Sequence, residues 1–147
     1  MIISTKIEEV KNKIKKSSEK PVIVLSQDDS FNRKIIEYGK FDILLSPENG
    51  NRSNSIRKIN SGLNHVVAKI ATKNEVSIGI DINEIKKLSK KEKAERLSKI
   101  KQNLEICRRA KTKIIALSET NNGKNISNFL ISLGASNTQA KEATKSF

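Results

Sequence analysis

The sequence predicts an α/β protein with a mainly parallel sheet and helical crossovers, on two observations. Four short apolar runs, rich in β-branched residues, have the length of buried strands: 22–26, 41–45, 76–80 and 113–118. Most segments between them place apolar residues three and four positions apart, which is typical of helices that bury one face. Strands that alternate with helices form parallel sheets. The length of 147 residues predicts a single domain spanning 1–147.

The helices are predicted from apolar spacing and from residues that start and stop helices. Thr5 and Glu8 resemble a capping box, with Pro21 after that helix, and Asp28 and Ser89 are candidate caps of later helices. Ile2 and Ile3 are predicted as a very short strand. The predicted helices span 5–17, 30–38, 62–73, 89–111, 124–133 and 137–145.

The functional edge of such a sheet is expected where the strands end, because sites in α/β folds lie at the carboxyl ends of strands. Each predicted strand ends in or just before a polar residue, namely Ser26, Ser46, Asp81 or Ser118. The longest polar stretch, 46–61, follows the second strand, and loops of this length are often functional. Its basic residues favour a role with phosphates; they are Arg52, Arg57 and Lys58.

The charge of the chain points to a polyanionic partner. It has 29 Lys and Arg against 16 Asp and Glu, a net charge of +13, which suits RNA or DNA. The alternative is that AT-rich codons inflate Lys, Ile, Asn and Ser together. Aromatic residues make up 3% of the chain, and they are predicted in the core or at the terminus, so RNA would be recognised by shape and backbone.

The residue types present do not favour a zinc site, a nucleotide-binding site or a catalytic acid–base site. One histidine and one cysteine exclude a zinc site built from several of them, and neither nucleotide-binding glycine motif occurs. Cys107 lies on the apolar side of a predicted helix, so packing is its expected role. His65 and Asp81 could form an acid–base pair, although their spacing does not favour it. Four carboxylates could hold a metal: Asp28, Asp29, Asp42 and Asp81. The first two of these are better explained as helix caps.

A reducing cytosol is the expected compartment. Cys107 is the one cysteine, so no disulfide can form within the chain. No apolar run approaches the ~20 residues of a membrane span, and the first residues lack the apolar region of a signal peptide. A cytoplasmic location without membrane contact is therefore predicted.

Three segments resemble one known family. The most specific is Gly62-Leu63-Asn64-His65-Val66-Val67-Ala68-Lys69, which follows a strand ending in Ser46-Pro47. Lys113-Ile114-Ile115-Ala116-Leu117-Ser118 and Leu130-Ile131-Ser132-Leu133-Gly134 come later in the order that the family has. Together they resemble protein component 3 of archaeal ribonuclease P, the homologue of the eukaryotic 30-kDa subunit, from about residue 2 to the C-terminus.

The resemblance implies a fold and a function. The family has a TIM-barrel-like fold related to the PHP phosphoesterases, but it is a non-catalytic subunit. The RNA of the particle cleaves the phosphodiester with bound magnesium, so no cofactor is expected on this chain. The implied partners are ribonuclease P RNA, protein component 2 and other protein subunits. Precursor tRNA, from which the holoenzyme removes the 5′ leader, is the implied substrate.

The resemblance also implies a set of RNA-binding residues, with no catalytic or metal-binding residue among them. His65 would contact RNA or orient a backbone carbonyl, or would only satisfy local hydrogen bonds at a helix start. The cations would bind phosphates without reading sequence. The full set is Arg57, Lys58, His65, Lys69, Lys73, Arg108, Arg109, Lys113 and Lys124.

One departure from the family concerns the N-terminus. Family members are longer there, and Ile2-Ile3-Ser4 aligns with their third strand. The expected fold is therefore a truncated or partial TIM-like barrel, an open sheet with two exposed edges that invite a partner subunit, self-association or rearrangement. Two other function classes stay open: a PHP-like metal-dependent phosphoesterase, which one histidine argues against, and a basic α/β interaction domain.

Overall fold

The sheet is entirely parallel. The structure, a computed structural model, describes residues 1–49 and 59–145. Within these ranges the sheet has four strands in the order β1 (Ile23–Leu25), β2 (Ile43–Leu45), β3 (Ser77–Asp81) and β4 (Ile114–Leu117). Each strand is parallel to its neighbour. The predicted α/β class is confirmed, and neighbours that follow chain order are what a segment of a parallel barrel requires.

Helices connect and flank these strands. Within the described ranges they are α1 (Ile7–Lys16), α2 (Asp29–Tyr38), α3 (His65–Lys73), α4 (Ile82–Lys87), α5 (Lys90–Ala110), α6 (Gly123–Ser132) and α7 (Asn137–Ala143). Six of them were predicted, with ends shifted by a few residues. The sequence prediction missed α4, because six residues are too few to show a helical period.

Two predicted caps are confirmed. Asp28 Oδ1 caps the start of α2 by accepting a hydrogen bond from Phe31 N at 2.7 Å. At the other end, Gly39 follows the last helical residue as the C-cap, with φ 65°. Ser89 and Glu92 form a reciprocal capping box at the start of α5. These side chains satisfy backbone N–H groups that have no partner within the helix, so both starting points are determined by nearby residues.

The predicted capping box at Thr5 and Glu8 is wrong. The cap residue of α1 is Lys6, which makes no side-chain capping bond. Ser4 Oγ instead accepts from Lys6 N at 3.2 Å and donates to Glu9 Oε2 at 2.8 Å. The helix ends at Lys16, well before the proline, because the chain turns to an extended backbone at the next residue.

The start of α3 also differs from the prediction, which placed it at residue 62. Gly62 has φ 76°, outside the helical region, and the helix begins at His65. Asn64 Oδ1 caps it by accepting from Val67 N at 2.9 Å. The histidine is therefore the first helical residue, and the asparagine before it supplies the cap.

The predicted strand at Ile2 and Ile3 is reduced to one bridging residue. Ile2 N donates to Ile23 O at 2.7 Å, and Leu25 N donates to Ile2 O at 3.0 Å. Ile3 is more than half exposed. In the described chain β1 therefore has only this short parallel contact on its outer side.

The main core lies between the sheet and the helices. Leu44 and Ile78 of the sheet pack in the same cluster as Ile100, Leu104 and Cys107 of α5. Cys107 is completely buried in this cluster, which confirms its predicted packing role, and burial raises the pKa of its thiol to about 12. No helix in the described ranges is long and apolar enough to cross a membrane.

Candidate nucleic-acid interface

The carboxyl ends of β1 and β2 are joined by a serine. Ser26 Oγ donates to the carbonyl of Ser46 at 2.5 Å, and Ser46 N donates to Gly79 O at 2.9 Å. Ser46 has φ 54°, so the chain turns sharply as it leaves β2. This turn directs Glu48 back under the sheet edge, where only 2% of that residue is exposed.

Glu48 is a buried carboxyl group beside a cation. Its Oε1 lies 3.8 Å from Nη1 of Arg96, whose side chain is 10% exposed. Burial raises the pKa of Glu48 to about 7, although Arg96 favours the charged form. Removal of the carboxylate from water therefore outweighs the attraction of the guanidinium.

Arg96 connects three segments of the chain at this edge. Its Nη2 donates to Asn49 Oδ1 at 3.0 Å, and its Nη1 lies 3.4 Å from Glu84 Oε2 in α4. Asn49 Nδ2 in turn donates to Glu84 Oε1 at 3.2 Å. The start of the long loop is thus tied to α4 and α5 by Glu48, Asn49, Glu84 and Arg96, which we call the Arg96 network.

The far end of the same loop is also attached to α5. Asn103 is buried, and its Nδ2 donates to the carbonyl of Ser61 at 3.1 Å. Arg96 and Asn103 are seven positions apart, about two helical turns or roughly 10 Å along the helix. One helix therefore holds both described ends of the loop.

Three of the predicted RNA-binding residues form a stripe on α3. His65, Lys69 and Lys73 are four positions apart and all exposed, so they lie on one outer face of the helix. Within the described chain the His65 side chain has no hydrogen-bond partner. The suggestion that His65 satisfies local hydrogen bonds at the helix start is therefore wrong in the described chain. Asn64 caps the helix instead.

Other predicted residues lie at the amino ends of the strands. Thr72 Oγ1 is 2.8 Å from Thr112 Oγ1, so the last turn of α3 adjoins the end of α5 and the start of β4. Four of the predicted residues are exposed at this end, and we call them the amino-end group: Lys73, Arg108, Arg109 and Lys113. Arg108 Nη1 donates to Gly134 O at 2.7 Å, and Arg109 Nη2 is 2.8 Å from Glu105 Oε1, so both arginines have protein partners.

The predicted set is therefore divided between two ends of the sheet. His65 lies at the carboxyl end with Lys124, which is exposed in the first turn of α6. Lys69 lies midway along α3. Arg57 and Lys58 lie outside the described residues. Among the seven described residues, Lys73 at the end of the α3 stripe lies in the amino-end group, whereas His65 and Lys124 lie at the other end of the sheet, so these seven do not form one site.

The carboxylates considered for a metal have structural partners. Asp42 Oδ2 accepts from Val22 N at 2.6 Å, and Asp81 Oδ1 caps α4 through Glu84 N at 3.0 Å. Asp28 caps α2. In residues 1–49 and 59–145 no group of three or more His, Cys, Asp or Glu could hold a metal ion. His65 and Asp81 share no hydrogen bond or ion pair in the described chain, where Asp81 is half-buried as the cap of α4 and His65 is exposed.

The sequence interpretation missed the Arg96 network. Its signal was present in the helical spacing of α5, because Arg96, Lys99 and Asn103 recur at three and four positions beside the apolar stripe. Polar residues at core spacing predict buried polar contacts. Helical spacing does not predict which residues these side chains contact, because Glu48 is distant from them in sequence.

Comparison with known proteins confirms the resemblance that the motifs suggested. No family model matches the chain. Ribonuclease P protein component 3 of Methanococcus vannielii is 25% identical over 122 residues, which cover 82% of this chain and 50% of that protein. The protein of the same name from a strain of Methanococcus maripaludis is 28% identical over 116 residues, covering 77% of this chain and 47% of that one. The chain thus spans about half the length of the curated relatives it matches.

The fold is also shared with a solved structure. A chain of a structure described as the cryo-EM structure of archaeal ribonuclease P with mature tRNA superposes with a TM-score of 0.78 at 21% identity. The match covers 95% of this chain and 61% of that chain. The parallel sheet and its helices therefore have the fold of the matched part of that chain.

Proposed function

We propose that this chain acts as a protein subunit of ribonuclease P. It would assist the catalytic RNA in removing the 5′ leader from precursor tRNA, without being catalytic itself. The similarity to ribonuclease P protein component 3 over most of the chain carries the proposal. The fold shared with a chain of an archaeal ribonuclease P structure supports it.

The exposed cations give this role a physical basis. The α3 stripe and the amino-end group present Lys69, Lys73, Arg108, Arg109 and Lys113 on the surface. Such cations attract phosphates and release condensed counterions, which gives an affinity that falls with salt and does not depend on sequence. We propose that they hold the backbone of ribonuclease P RNA.

The remaining parts of the proposal concern partners and cofactor. The chain would assemble with protein component 2 and other protein subunits, with precursor tRNA as the substrate of the assembled particle. Magnesium would be held by the RNA and not by this chain. The particle would act in the cytoplasm, which agrees with one buried, free thiol.

A reconstitution assay tests the proposal. Ribonuclease P RNA and the other subunits of the source organism are mixed with and without this chain, and leader removal is followed at limiting magnesium. We expect the chain to raise the rate or lower the magnesium requirement. If it changes neither with all other components present, the alternative of a basic interaction domain takes its place. Cleavage by the chain alone would instead favour the phosphoesterase.

Matched variants test the role of the cations. Lys69→Gln with Lys73→Gln removes two charges from the α3 stripe. Lys15→Gln with Lys16→Gln removes two exposed charges from α1 and serves as the control. We expect the α3 variant to weaken the stimulation several-fold more than the control. Equal losses would mean that only net charge matters.

A further inference from the structure

A groove with an apolar floor lies between α4 and α6. Both helices begin near the carboxyl end of the sheet, after β3 and β4 respectively. The groove has a volume of about 470 Å³, and its floor is Ile82, Ile85, Ile126 and Phe129. Ile126 and Phe129 are only partly buried against the core, so they present apolar surface to it.

The rim of the groove consists of cations and neutral polar groups, with no carboxylate among its lining residues: Lys86, Lys93, Thr120, Asn122 and Asn125. Within the described chain neither lysine forms an ion pair, although Lys93 is half-buried. Asn122 Oδ1 accepts from Asn125 N at 3.3 Å, while the side-chain amide of Asn125 makes no hydrogen bond there. The rim can therefore bind an anionic group and still hydrogen-bond a neutral polar one.

One wall of the groove is held in place by hydrogen bonds. Glu119 N donates to Asn83 Oδ1 at 3.2 Å, which ties the segment after β4 to α4. Thr120 N donates to Ser118 Oγ at 3.3 Å within that segment. A groove formed in advance binds a small ligand without first having to order its own walls.

The size of the groove selects among ligands. A volume of about 470 Å³ lies within the ~300–1,000 Å³ of small-ligand sites. One turn of a helix, with side chains, occupies roughly 400 Å³, whereas a docked helix uses anchors spread over two turns or more. The dimensions thus fit a single compact group better than a partner helix.

We propose that this groove binds one unpaired nucleotide of single-stranded RNA. The base lies on Phe129 and the neighbouring isoleucines, Asn125 contacts its polar edge, and Lys86 and Lys93 hold the flanking phosphates. Apolar or aromatic surface for a base, beside cations for the backbone, is the usual design of single-strand sites. The inference rests on the proposed role on RNA and adds base contact to the backbone contacts expected from the sequence.

Charge-matched variants test the site. Binding of a short labelled oligouridine is followed by fluorescence anisotropy for Lys86→Gln with Lys93→Gln, and for Lys15→Gln with Lys16→Gln as the control. Both double variants carry the same net charge. We expect affinity to fall about tenfold in the groove variant and at most about threefold in the control. Equal decreases would overturn the proposal.

A second variant tests base stacking. Phe129→Leu keeps the floor apolar but removes the aromatic face, so we expect at least about fivefold weaker binding of oligouridine and no change for an abasic oligomer. Thermal unfolding of the variant checks that the fold survives. If it does not, photocrosslinking of 4-thiouridine RNA to the unaltered chain decides, with crosslinks expected in the segment 118–129. Crosslinks confined to other segments would refute the site.

The outcomes separate this proposal from the previous one. If the groove variants bind oligouridine normally while the chain still stimulates ribonuclease P, only the nucleotide site fails. If they no longer bind another protein subunit but still bind oligouridine, the groove docks protein and the proposal is wrong. If the chain stimulates nothing but its groove binds RNA, the ribonuclease P role fails instead.

Discussion

The two ends of the sheet use charge in opposite ways. At the carboxyl end Arg96 and Glu48 are nearly inaccessible to water and are bound to neighbouring segments. At the amino end Arg109 is paired with Glu105, but their side chains are 71% and 52% exposed. Buried charges fix the path of the chain because an unmatched partner is costly, whereas exposed charges remain free to attract a ligand. The buried pair at the carboxyl end thus organises the fold, whereas the exposed pair at the amino end leaves its charge at the surface.

The largest expected effect comes from breaking the Arg96 network. Arg96→Met leaves Glu48 and Glu84 without their cation, so we expect a decrease of about 3–5 kcal/mol in the free energy of unfolding at pH 8. Arg33→Met is the control, because it breaks an exposed ion pair with Glu37 at 3.0 Å and should cost at most about 1 kcal/mol. Urea denaturation measures both. Similar decreases in the two variants would refute the contrast between the two kinds of charge.

Glu48 is expected to give stability a dependence on pH. Its pKa is about 7 in the folded chain and 4.5 in the unfolded one. The folded state therefore holds the proton more tightly, so stability falls as pH rises from about 4.5 to about 7, by roughly 3 kcal/mol. Glu48→Gln should remove this fall and be the more stable protein at pH 8. Parallel stability curves for the two proteins between pH 5 and 8 would contradict the assignment.

The smallest effect on stability is expected at the amino end. Lys73→Gln with Arg109→Gln should change the free energy of unfolding by less than about 1 kcal/mol, since both side chains are exposed. Affinity for ribonuclease P RNA should fall, and the slope of log affinity against log salt should decrease by about one for each phosphate that the variant no longer binds. An unchanged slope would show that these cations do not touch RNA.

Much of the fold could be predicted because its signals are local. Continuous apolar runs marked the strands, and Asp28 and Ser89 marked helix starts through contacts within three residues. The prediction failed at α1, where Ser4, and not Thr5, makes the hydroxyl contacts, which are to Lys6 N and Glu9 Oε2 and do not form a capping box. A serine and a threonine in adjacent positions offer the same hydroxyl chemistry, and only the backbone path decides between them.

The candidate site was less predictable because its contacts are not local. Asn49 and Arg96 meet across 47 positions, and Asn103 and Ser61 across 42. Helical spacing places Arg96 and Asn103 near the core but says nothing about what they contact there. In the same way, the sequence identifies the cations without showing which of them meet at the amino end of the sheet. The groove between α4 and α6 required α4, which six residues were too few to reveal.

The reactivity of Cys107 can report how often the folded core opens. The thiol is completely buried, and burial raises its pKa to about 12, so the folded chain offers a labelling reagent neither access nor thiolate. Labelling must wait until α5 separates from the sheet. When reclosing is fast, the labelling rate measures the population of open molecules. A single native side chain can thus reveal whether the proposed binding of RNA stabilises the core.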